Sequence, residues 1–158
     1  MDTATIKALK DELKHQNANQ LLELCLKLAR FKKENKELLT YLLFESDDEE
    51  RYILGIKNEI DVLFENINTK SYFFIRKSAR KILTTTKKYI RFSKKKETEV
   101  ELLIYYCIKL KNFTPSIKNS PRLQSILTTQ VKLIEKIVAT LHEDLQYDYR
   151  LALDPLSS

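Results

Sequence analysis

The chain has almost none of the residues that interrupt helices. Its 158 residues include one glycine, Gly55, and three prolines, Pro115, Pro121 and Pro155. β-Hairpins and barrels need many turns rich in glycine and proline, so strands are not expected. The same scarcity excludes a phosphate-binding loop, because such a loop needs several glycines and Gly55 stands alone within a helical pattern.

Histidine is equally scarce, which argues against catalysis and metal binding. His15 and His142 are the two imidazoles, and neither belongs to an H-E-x-x-H motif. Glu12 precedes His15 at Glu-x-x-His spacing, but a di-metal site in a helical bundle needs that motif on two helices. We therefore predict no catalytic residues, no metal and no cofactor. An enzyme without a recognisable motif remains the third functional hypothesis.

Cysteines and long apolar runs are also few. Cys25 and Cys107 lie far apart, outside C-x-x-C spacing, and each falls on the apolar side of a predicted helix. Two buried, reduced thiols are therefore expected. No segment approaches the roughly 18 consecutive apolar residues of a membrane span, and the first residues carry charges where an export signal is apolar. These features predict a soluble, cytoplasmic protein.

What the chain does contain is apolar residues at intervals of three and four along nearly its whole length. This period predicts an all-α fold. We expect about seven helices packed as antiparallel hairpins, in a bundle or in a short irregular α-α superhelix, and the sequence does not choose between these two architectures. The length predicts one domain over residues 1–151, followed by a frayed tail at residues 152–158.

Several helix starts carry recognisable signals. In chain order they are Asn17 or Asn19, the capping boxes Ser46 with Glu49 and Thr98 with Glu101, and Ser120 followed by Pro121. The first helix is expected at residues 3–15, a polar connection at residues 31–35, and the basic helix at residues 71–93. The last helix is expected to be long, because its a/d spacing continues to Leu145 and is typical of an intramolecular bundle seam.

One part of the chain resembles a known family. The relevant segments are Leu21-Leu22-Glu23-Leu24-Cys25-Leu26-Lys27-Leu28-Ala29, Lys32-Lys33-Glu34-Asn35-Lys36, Glu37-Leu38-Leu39-Thr40-Tyr41-Leu42-Leu43 and the acidic residues 47–50. With them, residues 6–67 resemble a family of small helical bacterial domains of unknown function, which begin with a similar pair of short helices and an acidic helix start. The resemblance implies an all-α fold and transfers no functional residue.

The charge of the chain is concentrated in one segment. Residues 66–96 contain eleven of the 28 Lys and Arg residues and no Asp or Glu, which leaves seventeen basic residues against 22 acidic ones elsewhere. The net charge of +6 therefore arises in this segment. On a helical wheel its apolar residues cover one face. The opposite face carries Arg76, Lys77, Arg80, Lys81, Lys87, Lys88, Arg91, Lys94 and Lys95, with Phe73 beside them.

This cationic face supports more than one hypothesis. The leading hypothesis is a non-catalytic interaction module that presents residues 70–96 to a partner, either an unknown protein or a nucleic acid. The alternative is a nucleic-acid-binding protein using the same face, with cations on phosphates and Phe73 stacked on a base, although no helix-turn-helix glycine or zinc spacing is present. A third interpretation is that the cationic face has no binding function. It would then be a solvated surface whose charge is neutralised by acidic neighbours, and the phenylalanines would be covered by another helix.

Overall fold

The protein is almost entirely helical in the computed structural model, which describes residues 1–157. The eight α-helices are α1 (Ile6–Leu13), α2 (Ala18–Phe31), α3 (Lys33–Thr40), α4 (Glu49–Glu65), α5 (Tyr72–Ser93), α6 (Lys96–Lys111), α7 (Pro121–Val138) and α8 (Glu143–Ser157). A π-helical stretch, Tyr41–Glu45, follows α3, and a 3-10 turn, Ile117–Asn119, precedes α7. Since residues 1–157 contain no strand, the all-α prediction is confirmed.

The chain divides into two compact units, whereas the sequence predicts a single domain over residues 1–151. The N-terminal unit is Met1–Phe44 and contains α1 to α3. The C-terminal unit begins at Glu45 and contains α4 to α8. Apolar periodicity identifies the face that each helix would bury, but not the helix that covers it. The sequence pattern therefore runs through this division without marking it.

The N-terminal unit is built on a hairpin of α2 and α3. Asn17 caps α2 in a full capping box with Gln20, which confirms one of the two predicted caps. The connection between the helices is Lys32 alone, shorter than the polar loop predicted at residues 31–35. Asn35 makes this tight turn feasible, because its side-chain amide donates to the Leu28 carbonyl, 2.8 Å away, near the end of α2.

The C-terminal unit is organised around α6, which contacts α4, α5, α7 and α8. Its buried side chains cover most of the circumference of the helix, and Glu97, Tyr105 and Ile108 lie on the side that is not buried. The buried side chains are Thr98, Val100, Leu102, Leu103, Ile104, Tyr106, Cys107 and Leu110. A helix that other helices contact on most sides lies near the centre of its domain, and α6 occupies that position. The Cys107 thiol is part of this core, as predicted, whereas Cys25 in the N-terminal unit is exposed because its helix face is not covered.

Two predicted capping boxes are wrong. Helix α4 begins at Glu49 with Asp48 as its N-cap, and the Asp48 carboxylate accepts from the Arg51 amide at 3.1 Å. The π-helical stretch through Glu45 places Ser46 in the preceding turn. Helix α6 begins at Lys96, so Thr98 lies inside its first turn, and its hydroxyl donates to Glu49 Oε1 at 3.2 Å.

The connection between α5 and α6 is short because of the backbone conformation of Lys94. Helix α5 ends at Ser93, and the φ of 58° at its C-cap Lys94 places that residue in the left-handed region. A residue in this conformation ends a helix abruptly, and glycine usually occupies the position. The chain therefore turns within two residues, Lys94 and Lys95, and α6 starts earlier than its apolar pattern indicates.

The long last helix of the sequence prediction is two helices, which raises the count from seven to eight. Ser120 and Pro121 start α7 as predicted, but α7 ends at Val138 and α8 begins at Glu143. The Gln146 side-chain amide donates to the Leu141 carbonyl at 2.7 Å, and the Asp144 amide donates to His142 Nδ1 at 3.3 Å. These bonds satisfy polar backbone groups exposed by the break, which the a/d pattern does not reveal.

The segment predicted to fray is also helical. Helix α8 continues through Ser157, and Leu153 and Leu156 are buried. Their burial stabilises the last turns through apolar contact. Ser158, the last residue of the predicted tail, lies outside the described residues.

Candidate partner-binding surface

Helix α5 is held in the C-terminal unit by one apolar face. Its buried residues are Ile75, Ala79, Ile82, Thr86 and Ile90, which confirms the face predicted from the helical wheel. Thr86 is the polar member of this set, and its hydroxyl donates to the Ile82 carbonyl at 2.8 Å. The buried face therefore carries no unsatisfied hydroxyl, and the rotation of α5 about its axis is determined by packing.

Tyrosines from neighbouring segments add hydrogen bonds to the α5 backbone. The Tyr106 hydroxyl of α6 donates to the Ala79 carbonyl at 2.8 Å, and the Tyr52 hydroxyl of α4 donates to the Tyr89 carbonyl at 2.8 Å. Burial, followed by the nearby Cys107 thiol, raises the pKa of Tyr106, so its hydroxyl stays protonated and remains a donor. These contacts hold α5 in place while its opposite face points away from the core.

The opposite face carries the predicted cations. Lys77, Arg80, Lys81, Arg91, Lys94 and Lys95 are exposed, and Arg76, Lys87 and Lys88 are half-buried. Lys95 forms an ion pair with Glu49, with 3.0 Å between Nζ and Oε2. Within residues 1–157, six members of the set make neither an ion pair nor a cation–π contact: Lys77, Arg80, Lys81, Lys87, Arg91 and Lys94. We call these six residues the unpaired strip.

Three acidic residues of α4 and α6 have partners outside the strip. Asp61 lies 3.0 Å from Lys109, Glu101 lies 3.6 Å from Lys57, and Glu59 accepts from the Tyr89 hydroxyl at 3.0 Å. Burial alone would raise the pKa of Asp61, but hydrogen bonds from Tyr105 and Lys109 and the Lys109 charge together lower it. These carboxylates are committed to α4, α5 and α6 contacts and do not neutralise the unpaired strip.

Two exposed phenylalanines stand at the start of α5. Phe73 is 58% exposed, Phe74 is also exposed, and their rings meet edge to face with centroids 5.5 Å apart. The Arg76 guanidinium lies 5.8 Å from the centre of the Phe73 ring. This distance permits a cation–π contact. Because Phe73 is more than half exposed, an aromatic and a cationic group are presented together on the surface.

A cleft extends the cationic surface from α5 to α7. It has a volume of about 350 Å³ and is lined by Arg80 and Leu83 of α5 and by Arg122, Ser125, Ile126, Thr129 and Gln130 of α7. No carboxylate lines it. Gln130 is 4% exposed, and its side-chain oxygen has no hydrogen-bond partner within residues 1–157. Arginines, hydroxyls and an amide together favour a ligand that is anionic and can also donate a hydrogen bond.

Sequence reasoning missed Arg122 and Gln130. Arg122 lies far from the basic segment in sequence and joins Arg80 only because α7 packs beside α5. The sequence does contain an indication that Gln130 is buried. It lies seven residues after Leu123 and four before Ile134, which places it on the buried stripe of α7. A polar residue at such a position requires a partner or a special role.

The remaining candidates for chemistry do not assemble into a site. No group of three or more His, Cys, Asp or Glu side chains within residues 1–157 could hold a metal ion. His142 lies 3.6 Å from Asp144, and both are exposed. Burial raises the pKa of the Cys107 thiol to about 12, so this group remains protonated in the core.

No family model, curated protein or solved structure matches this chain. The resemblance of residues 6–67 to small helical bacterial domains therefore stays a prediction. Among the described residues, no helix combines the length and apolar character needed to cross a membrane.

Proposed function

We propose that this protein is a non-catalytic helical interaction module that presents the cationic face of α5 to an acidic protein partner. The observation that carries the proposal is the unpaired strip, because six cations on one anchored helix have no carboxylate partner within the described residues. Like charges held side by side repel one another, and a complementary acidic surface would relieve that repulsion. The strip is a property of a fixed helix and therefore offers a defined pattern of charge.

The proposed surface combines steering charges with an apolar anchor. Exposed charges mainly accelerate encounter and determine orientation, and each contributes little affinity. Affinity at interfaces is concentrated in a few aromatic or Arg side chains. Phe73 and Arg76 supply such a pair at one end of α5, 5.8 Å from ring centre to guanidinium.

The proposal is tested with charge variants of matched net charge. The test variant is K77Q/R80Q/K81Q/R91Q, and the control is K14Q/K118Q/K132Q/K136Q, which removes the same charge from exposed positions elsewhere. Binding of a fluorescent polyglutamate peptide is followed by anisotropy at several salt concentrations. We expect the test variant to lose at least roughly tenfold in affinity, since the strip supplies the charge complementarity. If both variants lose the same affinity for the peptide, binding depends on the net charge of the protein and not on the strip, and the proposal is refuted.

A second candidate function is binding of single-stranded nucleic acid by the same surface. It is favoured by the exposed Phe73 and Phe74 rings beside Arg76 and by the cleft with Arg80 and Arg122. Bases stack on aromatic rings, cations bind the phosphates, and a ribose hydroxyl could donate to the Gln130 side-chain oxygen. An acidic protein would use the Phe73 side chain as an apolar anchor, which does not require a base to stack on the ring.

Phe73→Leu distinguishes the two functions, because leucine keeps an apolar side chain but removes the stacking face. For a labelled single-stranded oligonucleotide we expect a loss of about 1–3 kcal/mol. For the polyglutamate peptide we expect little change. Nucleic-acid binding should also weaken with salt, with a slope of about −0.7 per neutralised phosphate. If no single-stranded DNA or RNA binds at low salt, the second function is excluded.

A further inference from the structure

The cleft between α5 and α7 has a buried amide among its lining groups. Gln130 lines the cleft and is 4% exposed, and its side-chain oxygen has no hydrogen-bond partner within residues 1–157. A buried oxygen without a partner costs free energy, so such atoms are rare in folded proteins. An apolar side chain on the buried stripe of α7 would avoid this cost. The glutamine at this position therefore points to a group that binds in the cleft.

The other polar side chains of the cleft also have donors to offer. The guanidinium groups of Arg80 and Arg122 make no ion pair within residues 1–157. The hydroxyls of Ser125 and Thr129 line the same cleft and are exposed. No carboxylate is present to neutralise the two arginines. The cleft therefore offers two positive charges and several hydrogen-bond donors to an anion.

The two helices that form the cleft are held in place by the core. On α5, the Tyr106 hydroxyl donates to the carbonyl of Ala79, the residue before Arg80, at 2.8 Å. On α7, Leu123 and Ile134 are fully buried. A site whose backbone is fixed before binding loses less conformational entropy when the ligand arrives. The arrangement is therefore suited to binding a small ligand.

The polar groups of the cleft restrict the chemistry of that ligand. Two guanidinium groups match a dianion, and their paired N–H donors fit the oxygens of a phosphate. The Gln130 oxygen can only accept a hydrogen bond, so the ligand must also supply a donor. Sulfate has no proton to donate. Inorganic phosphate keeps a P–OH group at neutral pH, and an ester such as glycerol 3-phosphate carries alcohol groups beside its phosphate.

The size of the cleft limits the ligand as well. Its volume of about 350 Å³ lies near the lower end of small-molecule pockets, which span roughly 300–1,000 Å³. Leu83 and Ile126 supply its apolar surface. A phosphate group with a few additional atoms fits these dimensions.

We propose that the cleft between α5 and α7 binds a small phosphate ligand that also carries a hydroxyl, either inorganic phosphate or a hydroxylated phosphate ester. Arg80 and Arg122 bind the phosphate oxygens, and the ligand hydroxyl donates to the Gln130 side-chain oxygen. The proposal goes beyond the function of the unpaired strip, because Arg122 and Gln130 lie outside the strip.

Isothermal titration calorimetry of the full chain with four ligands tests this chemistry. The ligands are inorganic phosphate, glycerol 3-phosphate, sulfate and ethyl phosphate, at equal ionic strength and about pH 7.5, where a simple monoester has lost most of its P–OH protons. We expect saturable binding of the first two. Sulfate and ethyl phosphate should bind at least roughly tenfold more weakly, because neither supplies a donor to Gln130. The tighter of the first two ligands identifies the source of the phosphate.

Arg122→Gln tests the site without altering the core, because Arg122 is exposed. It should weaken phosphate binding at least roughly tenfold, since charge-assisted hydrogen bonds are lost. Arg91→Gln is the matched control, because Arg91 is an exposed arginine of α5 that does not line the cleft. For the polyglutamate peptide the order should reverse, since Arg91 belongs to the unpaired strip and Arg122 does not. Failure of either proposal can thus be distinguished from failure of the other.

Gln130→Met tests the buried amide, because methionine has a similar length and no hydrogen-bonding amide. The variant should bind phosphate and sulfate with similar affinity. Its urea midpoint should stay the same or rise, since the unpartnered oxygen is removed from the interior. Circular dichroism confirms that the variant is folded. If it is not, the comparison of ligands and Arg122→Gln still decide.

Three results would overturn the proposal. The first is no binding of inorganic phosphate or glycerol 3-phosphate at millimolar concentrations, which would mean that the polar groups of the cleft are only hydrated. The second is equal affinity of the wild-type protein for phosphate and sulfate, which would make the cleft a general anion site. The third is unchanged phosphate binding in Arg122→Gln, which would place the ligand elsewhere.

Discussion

The two units of this chain use the same kind of amphipathic helix and reach different outcomes. In the C-terminal unit, α6 contacts four helices, and eight of its side chains between Thr98 and Leu110 are buried. In the N-terminal unit, α2 is richer in leucine than α6, yet none of its residues is buried. Apolar periodicity therefore measures the capacity of a helix to be buried, and the number of neighbouring helices determines whether burial occurs.

Helix length adds to this contrast. Helices α5, α6 and α7 have 22, 16 and 18 residues, whereas α1 and α3 have eight each. Isolated helices shorter than about 12–15 residues are marginal in water, so short helices depend on packing for their stability. The N-terminal unit thus needs neighbours more than the C-terminal unit does, and it has fewer of them.

Amide hydrogen exchange should show the largest difference between the units. Amides of α6 should exchange at least about a thousandfold more slowly than amides of α2. Core helices open only with global unfolding, whereas coreless helices open locally at little free-energy cost. Mass spectrometry of peptic fragments measures both helices in one sample. Equal protection of α2 and α6 would contradict the contrast drawn here.

Truncation of one leucine in each unit should separate them by several kcal/mol. Leu103→Ala should lower the free energy of unfolding by about 2–5 kcal/mol, because Leu103 is fully buried and leaves a cavity. Leu28→Ala should change the main urea transition by less than about 0.5 kcal/mol, since Leu28 is exposed. A similar loss in both variants would mean that the N-terminal unit is part of the same cooperative core.

Loss of a single buried hydroxyl tests how α5 is anchored. Tyr106→Phe should destabilise the protein by about 1–3 kcal/mol, because it leaves the Ala79 carbonyl without its donor in the interior. Tyr147→Phe is the control, since the Tyr147 ring is exposed. Urea denaturation compares the two variants. An unchanged midpoint for Tyr106→Phe would show that packing alone holds α5.

Removal of helix caps should again affect one unit more than the other. Ser120→Ala should lower the stability of the C-terminal unit by about 1 kcal/mol, because the Ser120 hydroxyl accepts from the Leu123 amide at the start of α7. Asn17→Ala should reduce helical circular dichroism in α2 without shifting the main transition. A shifted main transition in Asn17→Ala would indicate that the two units unfold together.

The smallest expected effect is the pH dependence of the Tyr105–Asp61–Lys109 cluster. The Asp61 pKa is lowered in the folded protein, so its stabilising contribution is present above its ordinary pKa of 3.8 and is lost as pH falls below that value. The Tyr105 pKa is raised to about 12, first by burial and then by the Asp61 carboxylate, so this hydroxyl remains a donor at neutral pH. Asp61→Asn should flatten the loss of stability in acid. Identical acid titrations of both proteins would exclude Asp61 as a contributor.

Part of the candidate site could be predicted from the sequence. Placement of Ile75, Ile82 and Ile90 on one face of α5, and of the cations on the other, follows from helical geometry alone. Pairing of Lys95 with Glu49 could not be predicted, because it depends on how the start of α4 meets the end of α5. The sequence did not predict Arg122 and Gln130 as part of the site for the same reason, since they lie next to α5 only because α7 packs against it.

The sequence by itself determined the helical class, the rotation of α5 and the start of α7 at Ser120, because these depend on interactions between residues a few positions apart. Only the tertiary structure decided the division at Phe44 and Glu45, the break between α7 and α8, and which cations lack a carboxylate partner. Those features depend on contacts between residues distant in sequence. A helix carries its own periodicity, but its burial and its charge balance belong to the neighbours that pack against it.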